Sequence, residues 1–285
     1  MQVLDTAGLD GGRGARAGGR VLVPVDGSPA ASRALPVAAA LAGRADTLVD
    51  VVSVIAPGDD GASRRSDVEQ ALRRLGTAAG HGHLSRAADP AAAIATLAAS
   101  PGGGCPAPLV CLTSHGHSRL STVPIGAVAA GVMARTTRPV LVVGPLAAPG
   151  YPDAPVVALL GGRPGAAAED RATARHAIRL ARTLDVPLQL VVALGDADAG
   201  APARRAAEER LDDLVASARA KGGDVSGRLV EDPSSPVAGL CHLLRSRPAQ
   251  LVVASQQRPG SLPCCADPVL HLLHQCPVPV AVCPS

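Results

Sequence analysis

Short apolar runs alternate along this chain with longer stretches in which apolar positions recur at helical spacing. In the first half, the apolar runs predict five strands. They cover Val21–Val25, Val49–Ile55, Gly82–Ala87, Leu109–Leu112 and Val140–Val143. The helical spacing predicts helices over Ser66–Ala79, Pro90–Ala99 and Gly126–Arg135, and a further helix that Ser28 and Pro29 open. Strands that alternate with helices are typical of an α/β domain, in which helices cover both faces of a parallel sheet.

The second half of the chain repeats this pattern at a period of roughly 140 residues, which is the size of a domain. The corresponding segments are Val156–Leu160 with Val21–Val25, Leu188–Leu194 with Leu48–Val54, Asp232-Pro233 with Asp89-Pro90, Leu251–Ser255 with Leu109–Thr113, and Pro279–Val282 with Pro139–Val142. The repeat therefore predicts two α/β domains of the same topology, one after the other.

The segments outside the repeat complete the predicted organisation. Residues 1–19 are rich in Gly and Arg and lack the apolar stretch of a secretory signal, so they predict a disordered tail. Residues 147–155 are rich in Pro and Gly and predict a linker. The first domain is expected at 20–146 and the second at 156–285.

Composition narrows the classes of function. The chain has 285 residues, of which 47% are apolar, with no Phe, no Trp and Tyr151 as the single aromatic residue. Its net charge of +3 comes from interspersed acidic and basic residues, and aromatic side chains for base stacking are missing, so a nucleic-acid partner is not expected. No apolar stretch is long enough to span a bilayer, so a membrane partner is not expected either.

Seven cysteines occur without the spacing of a disulfide framework, which favours reduced thiols and a cytoplasmic protein. Near the carboxyl terminus, the group Cys264, Cys265, His271, His274 and Cys276 invites a zinc interpretation. Adjacent cysteines lack the spacing that zinc sites favour, so we expect no metal site and treat the two histidines as part of a solvated helix face. Redox-sensitive thiols at Cys264 and Cys265 are a further alternative.

The segment from Thr113 to Ala127 carries the candidate chemistry. It follows an apolar strand, contains Gly116 and, after nine intervening residues, Gly126, and leads into a predicted helix. Glycines let a backbone approach a ligand closely, and a helix that starts near Gly126 aims its N–H groups and the positive end of its dipole at an anion. The pattern predicts a phosphate-binding turn.

Three separated segments resemble the universal stress protein family. They are Val21–Ser28, which reads Val-Leu-Val-Pro-Val-Asp-Gly-Ser, the Ser114–Gly126 segment, and Arg138–Val143. The resemblance implies two tandem five-stranded parallel sheets of Rossmann-like topology, with strand order 3-2-1-4-5. It also implies an intramolecular pseudo-dimer paired through the last strands, Val140–Val143 and Val280–Val282, and it allows a homodimer.

Many members of this family bind ATP through a motif of Gly, two residues, Gly, nine residues, Gly, and Ser or Thr. Here these positions fall on Thr113, Gly116, Gly126 and Ala127, so the spacing is intact although two residue types differ. The residues that the resemblance assigns to the nucleotide are Asp26, Val54, Thr113, Ser114, His115, Gly116, His117, Gly126 and Ala127. Asp26 would lie beside the adenine and ribose, where a carboxylate can accept hydrogen bonds.

Two functions are open, and they differ in whether the motif still binds a nucleotide with Thr113 and Ala127 in place of the family residues. The first is a stress-response regulatory protein that binds ATP or another adenine nucleotide, with Mg²⁺, and acts on a protein partner without being an enzyme. The alternative is a scaffold of the same fold that binds no nucleotide and works through protein contacts. A threonine cannot readily adopt positive φ, so the scaffold is favoured if the turn requires that conformation at Thr113.

The second copy departs further from the motif. Gly161-Gly162-Arg163 stands where the first copy has its aspartate, and Ser255–Arg258 lacks the glycines. Asp267 falls near the corresponding helix start, where a carboxylate would repel a phosphate. We therefore predict that the second domain does not bind nucleotide.

Overall fold

The structure is a computed structural model that describes residues 19–99, 109–115, 125–161, 166–195, 200–256 and 268–284. The chain forms two compact units, which divide between Val143 and Gly144, ahead of the predicted linker at 147–155. Residues 1–18 of the predicted tail lie outside the described residues, as do Cys264, Cys265 and Asp267.

The first unit is a parallel α/β sheet. Its elements are β1 (Arg20–Pro24), α1 (Ala34–Arg44), β2 (Leu48–Ile55), α2 (Ala62–Leu75), β3 (Ala79–Arg86), α3 (Pro90–Ala99), β4 (Leu109–Thr113), α4 (Ala127–Arg135) and β5 (Val140–Val143). The strands lie in the order β3-β2-β1-β4-β5, and each neighbouring pair is parallel. The strand order 3-2-1-4-5 is thus confirmed for this unit.

The second unit has the same topology. Its elements are β6 (Val156–Gly161), α5 (Ala167–Leu184), β7 (Leu188–Leu194), α6 (Ala201–Arg219), β8 (Val225–Glu231), α7 (Pro236–Ser246), β9 (Leu251–Ser255), α8 (Pro268–Gln275) and β10 (Val280–Cys283). The strands lie in the order β8-β7-β6-β9-β10 and are parallel. The predicted fold class of two tandem five-stranded α/β sheets is therefore confirmed.

Aliphatic strands and alanine-rich helix faces build both cores. The central strand β1 is buried at Val21, Leu22 and Val23, and β5 is buried along its whole length. Strands covered by helices on both faces need such continuous apolar runs, which is why the sequence shows little alternation there. No helix in the described ranges is both long enough and apolar enough to cross a bilayer.

The second helix begins earlier than the sequence predicts. The apolar spacing placed its start at Ser66, whereas α2 begins at Ala62. Two turn carboxylates displace the start: Asp59 accepts a hydrogen bond from the Gly61 N–H at 3.1 Å, and Asp60 accepts one from the Ala62 N–H at 2.9 Å. Gly61 itself has a φ of 74°, a conformation that favours glycine. Polar turn chemistry, which carries no periodicity, therefore decides where the helix starts.

Pro36 does not interrupt the first helix. Ser28 accepts the Ala31 N–H at 3.0 Å and so begins a 3-10 turn over Ala31–Arg33, and α1 starts only at Ala34. Pro36 thus lies in the first turn of α1. Amides there have no acceptor within their own α-helix, so the proline removes no helical hydrogen bond.

The match of Asp232-Pro233 to the helix opening at Asp89-Pro90 is also wrong in position. Asp232 instead accepts the Ser234 N–H at 2.8 Å in a turn. The helix α7 opens later, where Ser235 caps it by accepting the Ala238 N–H at 3.0 Å. The two copies therefore begin their equivalent helices with different capping residues.

Candidate functional site

A cavity of about 370 Å³ opens in the first unit where β1, β2 and β4 end. Six of the nine residues that the sequence assigns to a ligand line it, namely Asp26, Val54, Thr113, Ser114, Gly126 and Ala127. His115 follows Ser114 but is not part of the cavity wall. Gly116 and His117 lie outside the described residues. Ligands of parallel α/β sheets bind at this edge because the carboxyl ends of the strands and the helix starts meet there.

Asp26 holds the turn that follows β1. Its Oδ1 accepts the Ser28 N–H at 3.0 Å, which is the local bond that aspartate commonly makes at the end of a strand. Gly27, between them, has a φ of 78°, so the turn requires a glycine there. Asp26 also lines the cavity, and a carboxylate can accept more than one hydrogen bond.

The floor of the cavity is apolar. Val52 and Val54 from β2, Ile94 from α3 and Leu112 from β4 contribute to it. Val128, at the start of α4, also lines the cavity and leaves 43% of its surface exposed. An apolar cavity lining with a few polar groups is typical of small-molecule sites.

Thr113 fits the turn without strain. It is the last residue of β4, and the positive-φ residues other than glycine in the described ranges are Asp46 and Asp185. The expected conformational obstacle to a threonine at this motif position therefore does not arise. Its hydroxyl donates to the His115 carbonyl oxygen at 2.8 Å, which tightens the turn after β4.

Gly126, just before α4, has an amide that is already hydrogen-bonded within the protein. Its amide donates to the Ser114 carbonyl oxygen at 2.7 Å and so closes the two ends of the turn. Its φ of −68° and ψ of 150° are extended, which any residue can adopt. The amides of Ala127, Val128 and Ala129 in the first turn of α4 have no acceptor within their own helix, so the positive helix end is made by them.

Arg64 is a cavity residue that the sequence analysis missed. It projects from the first turn of α2, donates a hydrogen bond to the Asp26 carbonyl oxygen, and lies 3.4 Å from Asp67 Oδ2. The predicted helix start at Ser66 left Arg64 in a loop. The signal that would have found it is the Asp59–Gly61 turn, which places the following residues at the carboxyl end of β2.

Comparison with known proteins assigns the first unit to a protein family. Residues 19–144 match the model of the universal stress protein family. This unit belongs to the universal stress protein family. A search of curated protein sequences finds no match to the chain.

Solved structures show how far the fold extends beyond the universal stress protein unit. A universal stress protein from Archaeoglobus fulgidus is 16% identical, with a TM-score of 0.66 over 93% of this chain and 96% of its own. A functionally unknown protein from Pseudomonas aeruginosa is also 16% identical, with a TM-score of 0.60 over 93% and 92%. A universal stress protein from Archaeoglobus fulgidus in complex with dAMP is 21% identical, with a TM-score of 0.38 over 45% and 96%. The first two likenesses span both units and show the fold.

The second unit uses its own side chains where the universal stress protein unit has an open edge. Asp170 of α5 accepts the N–H of Gly161, the last residue of β6, at 2.7 Å. Thr173, one turn further along α5, forms a hydrogen bond with Ser255 at the end of β9. Both Asp170 and Thr173 are buried, so α5 covers the carboxyl ends of these two strands.

Cys264 and Cys265 lie outside the described residues, so the zinc and redox alternatives of the sequence can be followed only at their neighbours. His271 and His274 lie on α8, and within the described ranges no cluster of three or more His, Cys, Asp and Glu side chains is arranged to hold a metal ion. Burial raises the pKa of the Cys276 thiol to about 12, and that of Cys111 in the universal stress protein unit to about 12. These two thiols are therefore protonated at neutral pH and poor nucleophiles.

Proposed function

We propose that the first unit binds an adenine nucleotide in the cavity at the ends of β1, β2 and β4, with ATP and Mg²⁺ as the expected form. The observation that carries the proposal is that one cavity of about 370 Å³ brings together Asp26 from the turn after β1, Val54 from β2 and the start of α4. These segments are far apart in sequence, and the volume is within the range of small-molecule sites, roughly 300–1000 Å³.

The chemistry of the lining supports a nucleotide whose base, ribose and phosphates contact different parts of the cavity. The apolar wall from Val54, Ile94 and Leu112 suits the flat face of a base. Asp26 can accept hydrogen bonds from ribose hydroxyls or an amino group. The first turn of α4, at Ala127–Ala129, presents amides and the positive dipole end to a phosphate.

The proposed role is regulatory. Bound nucleotide stabilises the liganded form of the first unit by mass action, and a protein partner that reads this form would respond to nucleotide concentration. The proposal includes no dedicated catalysis and places the protein in the cytoplasm, in line with reduced cysteines.

Titration of the full chain with ATP, ADP and AMP, each with and without Mg²⁺, tests the proposal by calorimetry and thermal shift. We expect saturable binding with one site per chain and a rise in Tm. The variant Ala127→Glu places a carboxylate at the start of α4, where it stabilises the helix but repels a phosphate. We expect it to weaken ATP binding about tenfold or more without lowering Tm.

The matched control is Ala134→Glu, which adds the same charge to an exposed position in the last turn of α4. It should leave the ATP affinity within about twofold of the parent value. Equal losses in both variants would mean that the phosphate does not lie at the start of α4.

The scaffold function remains the second candidate because of one observation, the hydrogen bond from the Gly126 amide to Ser114. With that amide committed and no hydroxyl at Ala127, this turn has fewer donors for a phosphate than the family motif supplies. The absence of any thermal or calorimetric response at millimolar nucleotide would overturn the nucleotide proposal and favour the scaffold.

A further inference from the structure

We infer that Arg64 is the side chain that binds the anionic group of the ligand, and that Asp67 pairs with Arg64 in the ligand-free protein and so competes with the ligand for it. This inference rests on the proposed nucleotide site and names the residue that would distinguish phosphorylated ligands from uncharged ones. The sequence motif does not include either residue, since both lie on α2.

The charges around the cavity single out Arg64. Among the described residues that line it, Arg64 carries the one positive charge and Asp26 the one negative charge. A phosphate next to Asp26 alone would be repelled, so the cavity needs a cation to accept one. A guanidinium suits that role because its planar fork of N–H donors matches the oxygens of a phosphate.

The backbone beneath Arg64 is held firmly, so the side chain starts from a fixed place. The preceding Gly61 adopts a φ of 74° and packs so closely on Ile55 that a Cβ there would lie 2.5 Å from Ile55 Cδ1. The Arg65 N–H then donates to the Gly61 carbonyl oxygen at 2.9 Å and begins the helix. These contacts fix the direction from which Arg64 enters the cavity.

A ligand phosphate could readily replace the groups that Arg64 contacts in the ligand-free protein. One is a neutral carbonyl oxygen of Asp26, and the other is Asp67 Oδ2 at 3.4 Å, a distance at the outer limit of hydrogen bonding. The two side chains of the ion pair are 32% and 22% exposed, so water screens the pair and makes it weak. A phosphate with two charges and several acceptors would compete well for the same guanidinium.

Asp67 would stay in place when Arg64 turns to a ligand. Its carboxylate packs against the Gly27 turn, where a Cβ would lie 2.6 Å from Asp67 Oδ2. Asp67 therefore stays outside the cavity lining, whereas the side chain of Arg64 lies within it and can move toward a ligand. Removing the charge of Asp67 should free Arg64 for a ligand. Removing Arg64 should weaken the binding only of ligands that carry a phosphate.

Calorimetric titrations with adenosine, AMP and ATP test this on the full chain. Arg64→Ala should weaken the binding of AMP and ATP about tenfold or more and leave adenosine within about twofold of the parent. Arg64→Lys should fall in between, because lysine keeps the charge and loses the fork. Asp67→Asn should tighten AMP and ATP about threefold with no change for adenosine.

Arg65→Ala is the matched control, because Arg65 is an exposed arginine next in sequence that does not line the cavity. It should leave all three affinities unchanged. Equal loss of adenosine and ATP in Arg64→Ala, or no loss at all, would overturn the inference while the nucleotide site stands. If the parent chain binds none of the three compounds, the proposed function itself fails and the inference with it.

Discussion

At the scale of the single residue, Asp170 in the second unit is a carboxyl group that the fold buries beside the end of a strand. Only 4% of its surface is exposed, and burial raises its pKa to about 6, although the Gly161 N–H and the charge of Arg210 act to lower it. Between its ordinary pKa of 3.8 and about 6, the folded chain thus binds more protons at this site than the unfolded chain. This one group therefore makes the protein less stable as the pH rises through that window.

Asp170→Asn should raise the free energy of unfolding at pH 7.5 by about 1–2 kcal/mol, because asparagine keeps an acceptor for Gly161 and needs no ionisation. At pH 4 the gain should vanish, since the parent carboxyl group is then largely protonated. Urea denaturation at the two pH values measures both effects. The exposed Glu209→Gln on α6 serves as the control, and a gain in Asp170→Asn that does not depend on pH would contradict the explanation.

At the scale of the element, the outer strand β3 is tied to β2 by a charged cluster around Asp50. Asp50 accepts the His81 N–H at 2.8 Å and pairs with Arg20 at 2.9 Å. Burial raises the pKa of Asp50, but hydrogen bonds from His83 and His81 and the charge of Arg20 bring the pKa below its ordinary value. The cluster thus adds stability above the ordinary aspartate pKa of 3.8, and this stability is lost as the pH falls through the lowered pKa.

Gly80 leaves the space that this cluster needs. A Cβ there would lie 2.3 Å from Asp50 Oδ1 and 3.1 Å from the Val49 carbonyl oxygen. Gly80→Ala should therefore displace β3 or the Asp50 carboxylate and lower the free energy of unfolding by about 1–3 kcal/mol. Thermal and urea unfolding at pH 7 measure the loss.

Gly43→Ala is the matched control, because a Cβ at Gly43 has no neighbour within 4 Å and the residue lies in α1. Alanine favours a helix over glycine, so this variant should be more stable by about 0.5–1 kcal/mol. Similar losses in the two variants would show that close contact with Asp50 is not the reason that Gly80 is needed.

At the scale of the whole molecule, the two units share a topology but differ at the edge where a ligand would bind. In the first, the ends of β1 and β4 face a cavity, and in the second, α5 covers the ends of β6 and β9. Hydrogen exchange of the full chain should therefore show ATP-dependent protection at Asp26–Ser28 and at the start of α4. Protection at Gly161 or Ser255 would contradict the prediction that the second unit does not bind nucleotide.

The hydrophobic pattern located most of the strands, but it began the third strand at Gly82 whereas β3 begins at Ala79, and the order of the strands in the sheet came from the family resemblance. Leu188–Leu194 and Leu251–Ser255 have the predicted bounds, because buried strands need a continuous apolar run. The same pattern misplaced α2, since carboxylate turns at Asp59 and Asp60 set its start. Six of the candidate site residues do line one cavity, yet Arg64 could not be found without the correct helix start.

The amino-acid sequence by itself determined the repeated order of strands and helices, because strands buried in a parallel sheet need continuous apolar runs. Its motif segments Val21–Ser28, Ser114–Gly126 and Arg138–Val143 also indicated the family of the first unit. Only the tertiary structure decided which polar groups remain for a ligand. The Gly126 amide goes to Ser114, Thr113 lies in an extended strand, and Arg64 reaches the cavity. Hydrogen bonds between segments far apart in the chain leave no periodic trace in the sequence, so these assignments require the folded molecule.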